Sequence, residues 1–402
     1  MSVAQTQATP GGHPTFAMVL LLGAMTAFGA MSIDMYLPAL PTIAASFGAD
    51  EPAAARTVSV FFIGMALGQL AWGPIADRFG RRPPLLAGLA IYLAASVACA
   101  LAPTIETLTA ARLVQSIGAC SGIVITRAVV RDRYDNNETA RILSLLVLVM
   151  GLAPILAPFV GGVLLKVAGW RTIFWALTGF AALVAVAVWT GLPESRSAAT
   201  AATARGESPL ASYAALFGDR RLTGYLLTSS LNGACLYTYI VESPSLIITR
   251  YGIPAEHFGW VFGANAIGLV AMSQLNRALL VRNSSDRVLA WATPAVLAFA
   301  VLMLGCAITG FGDMWGVFVP LFLIVATFGL TGSNTMAGAL SRDPERSGTV
   351  SALFGSLAMA TGAVSSAFSG LLHNGTAVPM AAIMALCAAG ATLSLYGLAL
   401  RR

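Results

Sequence analysis

The chain has 402 residues, of which 57% are hydrophobic and only 10% charged. Soluble domains average about 25% charged residues, so a water-soluble fold is excluded and a polytopic membrane protein is expected. The net charge of +6 does not require nucleic acid, because arginines that hold loops on the cytoplasmic side give the same surplus.

The first fifteen residues are polar and lack a basic n-region. The apolar run behind them is too long for a cleaved signal peptide and is expected to stay as the first span. Apolar runs of roughly 18 to 25 residues read as spanning helices. They fall at 16–40, 54–75, 84–102, 105–127, 141–165, 171–191, 223–247, 257–280, 288–310, 314–338, 347–372 and 377–399. Their continuous apolarity does not fit the alternating pattern of a membrane barrel. The five cysteines, Cys99, Cys120, Cys235, Cys306 and Cys387, all lie inside these runs, are odd in number and form no CxxC. They read as packing residues, with neither a disulfide nor a metal site.

Orientation follows from the basic residues. With the N-terminus in the cytoplasm, Arg56, Lys166, Arg171 and Arg250 fall outside and Arg112 falls within span four. The other eighteen of the 23 lysines and arginines then fall on the cytoplasmic side, a bias strong enough to set the topology. Both termini are cytoplasmic on this reading. The segment between spans six and seven contains SRSAATAATARGES, a polar, small-residue linker expected to be flexible. The expected organisation is an N-terminal six-helix bundle at 1–192, a cytoplasmic linker at 193–222 and a C-terminal six-helix bundle at 223–402. The basic turn between spans two and three has a positional counterpart, NRALLVRNSSDR, between spans eight and nine, which suggests an internal repeat.

The turn between spans two and three reads GPIADRFGRRP (Gly73–Pro83) and resembles the loop 2–3 signature of the major facilitator superfamily. IDMYLPALP (Ile33–Pro41) resembles the first-span motif of its twelve-span drug/proton antiporters. RLVQSIGACSG (Arg112–Gly122), extended by VRDRY (Val130–Tyr134), resembles their fourth-span motif. GLAPILAPFVGG (Gly151–Gly162) resembles the fifth-span antiporter motif, with Ala157 where the general pattern has Gly. Together these resemble the bicyclomycin/chloramphenicol-resistance (Bcr/CflA) branch. The resemblance implies an all-α membrane protein of twelve helices in two six-helix bundles, a central cavity and proton-driven export of small amphipathic drugs.

Asp34, about 18 residues into the first span, is expected some 27 Å from its start. An ionised carboxylate within a span costs on the order of 2.5–3.5 kcal/mol, so Asp34 reads as a proton- or substrate-coupling group. The bland alternative is an acid at a frayed, wet helix end, which Pro38 and Pro41 would permit. Arg112 lies at a compatible depth and needs a partner. Asp34 is the one acid expected near it, directly or through water, unless Arg112 snorkels outward. Glu242 lies about 19 residues into span seven, ahead of Pro244, and reads as a second titratable site or a cation attractor. Its alternative is a wet periplasmic end.

An apolar drug cavity with few polar groups is expected to draw on Ala30 and Met31 beside Asp34, on Tyr239 beside Glu242, and on Gln115, Met150, Asn232, Asn265 and Asn334. For gating, the resemblance implies that Asp77 caps span eleven near Ser347 through the helix dipole. Arg78 and Arg81 would pair with acids such as Asp132, latching the halves through the Gly73–Gly80 turn; the alternative is a topology signal alone. Gly64, Gly68, Gly348, Gly355 and Gly362 are expected at close helix contacts that join spans two and eleven. Gly161 and Gly162 are expected to pack closely, and Pro154 and Pro158 to bend span five.

The reading is a proton-coupled multidrug exporter of the bacterial inner membrane, monomeric, driven by the proton gradient with no cofactor. Its partners are small-molecule drugs or metabolites, protons and the bilayer, with no nucleic acid. The alternatives are a carrier of a single metabolite, by export or symport, and a non-transporting membrane sensor. An enzyme is not expected: His13, His257 and His373 are scattered, and no nucleophile elbow or phosphate loop is present.

Overall fold

The computed structural model describes residues 15–196, 209–343 and 346–401, and these residues form helices without a strand. The helices are α1 (Phe16–Asp34), α2 (Leu40–Phe47), α3 (Glu51–Phe79), α4 (Arg82–Leu101), α5 (Ile105–Arg133), α6 (Asn136–Ala168) and α7 (Arg171–Gly191). They continue with α8 (Pro209–Leu216), α9 (Arg220–Pro244), α10 (Phe258–Leu280), α11 (Ser285–Thr309), α12 (Asp313–Arg342), α13 (Ser347–Leu371) and α14 (Val378–Ser394). Among the described residues, eleven segments are long and apolar enough to cross a membrane, with α1 and α2 counted as one run from Phe16 to Phe47. Large apolar side chains such as Leu183, Trp189, Leu386 and Leu393 are exposed on the outer faces, as lipid contact requires.

The expected seventh span is α9. Its 25 residues reach about 37 Å at 1.5 Å per residue, more than the roughly 30 Å of hydrocarbon, yet it is not among the eleven apolar segments. Its polar side chains are turned inward: Thr228, Ser229, Ser230, Asn232, Thr238 and Glu242 are buried. A helix surrounded by other helices can carry polar groups that lipid would reject.

Three element boundaries differ from the sequence expectation. The first span does not end at 40. It breaks after Asp34, turns through Leu37–Ala39 and continues as α2 to Phe47. Pro38 and Pro41 stand in the first turns of these two short elements, where a missing N–H is not needed. The Gly73–Pro83 stretch is mostly helix, with α3 running on to Phe79. The turn itself is confined to Gly80, at φ +97°, and Arg81. The linker contains α8, with Leu216 buried and Tyr213 OH donating to the Leu70 carbonyl at 3.2 Å. Residues 197–208, which include most of the small-residue stretch, lie outside the described residues.

The halves meet along α3 against α13 and α6 against α10. Ser59 and Ser366 share a hydrogen bond at 2.8 Å, Ser356 Oγ donates to the Ala66 carbonyl at 2.9 Å, and Phe62 packs on Tyr237. Gly355 lies against Gln69 of α3, but Gly64 and Gly68 face Ser116 and Cys120 of α5 in their own half, and Gly362 faces Tyr237 of α9. The glycines of spans two and eleven therefore join three interfaces rather than one, and Gly348 is nearly open. On the other seam Phe159 meets Trp260 edge-on and Lys166 pairs with Glu256 at 2.6 Å. These links run from the middle of the helices to the end opposite Gly80, so the halves are sealed at that far end.

Candidate functional site

The break after Asp34 lies at the centre of the fold. Asp34 is the last residue of α1 and is 4% exposed. Since the run continues to Phe47, Asp34 lies nearer its middle than expected. Gly161 of α6 packs directly on this break: a Cβ there would stand 2.0 Å from the Met35 carbonyl oxygen. The adjacent Gly162 faces the backbone of Ala255 and Glu256 in the other half. The paired glycines thus let one helix touch the Asp34 break and the opposite bundle together. Pro154 and Pro158 lie inside α6, which continues unbroken past both.

The expected Asp34–Arg112 pair is not present. Among the described residues Asp34 makes no ion pair and no side-chain hydrogen bond. It lies within electrostatic reach of Tyr239, on α9 of the other half. Arg112 neither snorkels nor faces the seam; it is fully buried inside the N-terminal bundle. Its guanidinium carbon lies 4.2 Å from the Phe61 ring centroid and 4.6 Å from that of Tyr36, within cation–π range. Nη1 donates to Gln115 Oε1 at 2.7 Å, and Nε and Nη2 have no partner. Behind it, Gln115 Nε2 donates to Ser96 Oγ at 2.8 Å, and Tyr92 OH and Ser32 Oγ share a hydrogen bond at 2.7 Å. Ser32 and Tyr36 flank Asp34 on the same turn, so the Arg112 network reaches α1 through these two residues.

The other expected lining residues separate into two groups. Gln115 is committed to Arg112 and Ser96, and Asn334 is committed to the Asn276 side chain (2.7 Å) and the Leu330 carbonyl (2.8 Å). Both amides are buried, with their hydrogen bonds made inside their own bundles. Ala30 and Met31 are half-buried beside the break, and Met150 is 37% exposed. Tyr239 is buried, stacks on Phe262 and receives a hydrogen bond from Asn265 Nδ2 at 2.9 Å, while Asn265 Oδ1 has no partner. Neither amide atom of Asn232 has a partner; the residue lines a cavity of about 10 Å³ with Leu236, Phe328 and Thr331.

Glu242 lies at the far end of α9, 8% exposed, with Oε1 buried and, among the described residues, no partner but the neighbouring Ser369. Its helix does not fray: it passes Pro244 into a π-helical stretch, Ser245–Arg250.

At the Gly80 end, the gating residues form a network that differs from the expected latch. Arg81 Nε donates to Asp132 at 2.7 Å, as the sequence suggested, and Arg81 Nη1 takes Asp77 at 2.5 Å. Asp77 is therefore held by its own i+4 neighbour and not by the start of α13, where Arg131 is the side chain nearest Gly348. Among the described residues Arg78 pairs with no acid; its guanidinium lies over Phe79, and its carbonyl accepts from Arg196 at 2.5 Å. Gly73 touches nothing beyond its own helix.

The sequence reading missed Glu194, the residue that anchors this turn. Its carboxylate accepts from the backbone N–H of Arg81 (2.8 Å), Arg82 (3.1 Å), Ser195 (3.0 Å) and Arg196 (3.0 Å). A side chain at Gly80 would strike it, with a Cβ 2.6 Å from Glu194 Oε2. A lone acid directly after Pro193 at the end of span six was the available signal. Partial burial raises its pKa, and the four N–H donors outweigh that and hold it below the usual glutamate range. A lowered pKa means that the charged form supports the native loop. That support is complete above the ordinary pKa of about 4.3 and fades as pH falls through the lower native value. Glu194→Gln is expected to melt below wild type at pH 6–8, with the gap closing as both are acidified below about pH 4.3.

Residues 20–367 match the family model described as Major Facilitator Superfamily. The chain belongs to the major facilitator superfamily. It is 32% identical over 397 residues to an MFS-type transporter, YdgK, of Bacillus subtilis, with 98% of each chain covered. It is 28% identical to a bicyclomycin resistance protein homolog of Haemophilus influenzae, covering 96% of this chain and 97% of that one. A solved D-xylose–proton symporter superposes with a TM-score of 0.71 at 16% identity, over 96% of this chain and 98% of that chain, which shows the fold. As a member of this superfamily the protein is a multi-pass membrane transporter of small molecules. Among the described residues, no three His, Cys, Asp or Glu side chains are grouped to hold a metal.

Proposed function

We propose that this carrier exports small amphipathic drugs across the bacterial inner membrane in exchange for protons, by alternating access between its two halves. The observation that carries the reading is the pair of buried acids, Asp34 and Glu242, neither with a cation to neutralise it among the described residues, near the seam of a facilitator fold. A buried ionised carboxylate without a partner costs several kcal/mol, so conformers that bury and expose it differ in proton affinity, and proton binding then drives their exchange. The close approach of Gly161 and Gly162 to the Asp34 break and the opposite half supports antiport by resemblance to the fifth-span motif. The bicyclomycin-resistance name of the Haemophilus relative points to drugs as cargo. No cofactor, nucleotide or catalytic step enters this reading, and the monomer is the working unit.

Arg112 acts indirectly on this reading, through Tyr36 and the Gln115–Ser96 chain rather than as the counter-ion of Asp34. Overexpression is expected to raise resistance to cationic or neutral amphipathic drugs at least several-fold, with the gain removed by an uncoupler. Resistance that survives the uncoupler, or flux of one metabolite with no drug protection, would overturn the reading.

A further inference from the structure

Glu242 opens on a cavity at the far end of the seam, separate from the Asp34 break. That cavity measures about 20 Å³ and is lined by Glu51 and Ala54 of α3, Glu242 and Ser245 of the seventh span, and His373 after α13. A water needs about 10–15 Å³, so the space holds one water and excludes a drug. Three observations single it out. Glu242 Oε1 and the neighbouring Ser369 Oγ are both buried and lie close enough to interact with each other, with no other partner among the described residues. Glu51 Oε2 accepts from Ser245 Oγ at 2.5 Å and lies 3.9 Å from His373 Nε2, so an acid of one half is tied to two groups of the other. The Glu51 and Glu242 carboxyls lie within electrostatic range of each other.

We propose that this cavity is a proton-loading site distinct from Asp34, in which a water bridges Glu242 and the Glu51–Ser245–His373 cluster, and that protonation of Glu242 is the condition for sealing this end. The titratable groups facing Glu242 are Glu51 from α3 and His373 from the segment after α13. Tyr239 lies a turn back along α9, within electrostatic reach of Asp34, and Arg250 is engaged by the Gly375 carbonyl at 2.8 Å. None of these is a cation bound to Glu242, so closing the seam over an ionised Glu242 leaves two acids facing each other in a small, poorly hydrated space. A proton on Glu242 removes that repulsion and supplies a donor to the bridging water. Glu51 holds the halves together while the site is loaded, through Ser245 and His373.

The inference rests on the proton-coupled reading, and its test needs no drug. Hydrogen–deuterium exchange of the purified full chain in lipid nanodiscs at pH 8 reads the far-end segments 47–56 and 370–378. Glu242→Gln, a mimic of the loaded state, is expected to slow exchange there by at least about fivefold, the lower end of typical couplings between linked equilibria. Glu51→Ala is expected to accelerate it, with the Gly80 end unchanged in both. Unchanged or faster exchange in Glu242→Gln, or unchanged exchange in Glu51→Ala, would overturn the proposal. Slowed exchange in a chain that moves no drug would leave this site standing and remove the export reading instead.

Discussion

Asp34→Asn is expected to abolish proton coupling while leaving the protein folded. In proteoliposomes the drug flux driven by a pH gradient should fall by about 10- to 100-fold, within the 5- to 150-fold typical of coupling between two sites. Residual drug movement should lose its pH dependence. The physical reason is the environment of the carboxyl. Asp34 ends α1 at a break, packed under Gly161 of α6, with no ion pair and no hydrogen bond among the described residues. An amide of the same size keeps the packing at the break and removes the titration. If the flux in Asp34→Asn retains the full response to the gradient, Asp34 is a structural acid and the coupling must be sought at Glu242. Asp34→Glu is the control for size: it restores a titratable group but crowds the contact with α6, so partial recovery is expected.

The helical spans were legible in the sequence because each is a long apolar run, and continuous apolarity has one structural solution in lipid. The seventh span shows the limit of that signal. α9 carries Asn232, Thr238 and Glu242 on buried faces, so its apolarity is diluted by what the interior needs, and it is not among the eleven segments apolar enough to cross a membrane. Burial was readable, since Asp34, Arg112 and Glu242 are all buried, but the depth of Asp34 was not, because its run continues to Phe47. Nor was azimuth. Two opposite charges at compatible depths suggested a pair, yet the faces of α1 and α5 aim Arg112 into the rings of Tyr36 and Phe61 instead of toward Asp34. A single sequence has no signal for such rotations. The far-end cluster escaped notice for a related reason. No motif in the sequence links Glu51, Ser245 and His373, and only the packing of α3 against α9 and α13 brings them together. Glu194 belongs to no motif in the sequence, because a carboxylate that serves backbone N–H groups leaves no pattern in the residues it binds.

Replacement of Arg112 separates stability from transport in a way that few positions allow. The guanidinium is fully buried, has one hydrogen bond to Gln115 and leaves Nε and Nη2 without partners. Its remaining compensation is the ring faces of Phe61 and Tyr36, worth about 2 kcal/mol or somewhat more when desolvated, against a desolvation cost of several kcal/mol for a buried ion. Arg112→Met fills most of the volume with an adaptable apolar chain and removes the charge. Neutral or raised thermal stability is therefore expected, by up to roughly 1–4 kcal/mol on the precedent of buried ion groups replaced by apolar residues. Arg112→Ala instead leaves a hole among Tyr36, Phe61 and Phe174, and a loss of about 2–5 kcal/mol is expected, as for other large-to-small core changes. Both variants should lose gradient-driven flux, because the positive charge that acts on α1 through Tyr36 and the Ser96–Tyr92–Ser32 chain is gone. Thermal melting in detergent and flux in proteoliposomes check the two expectations on the same preparations. A destabilised Arg112→Met would mean that the guanidinium is a net structural asset, and a stable Arg112→Met with intact coupling would remove Arg112 from the mechanism. The combination expected here, a carrier made no less stable and yet inactive, is the signature of a charge retained at a stability cost because transport uses it.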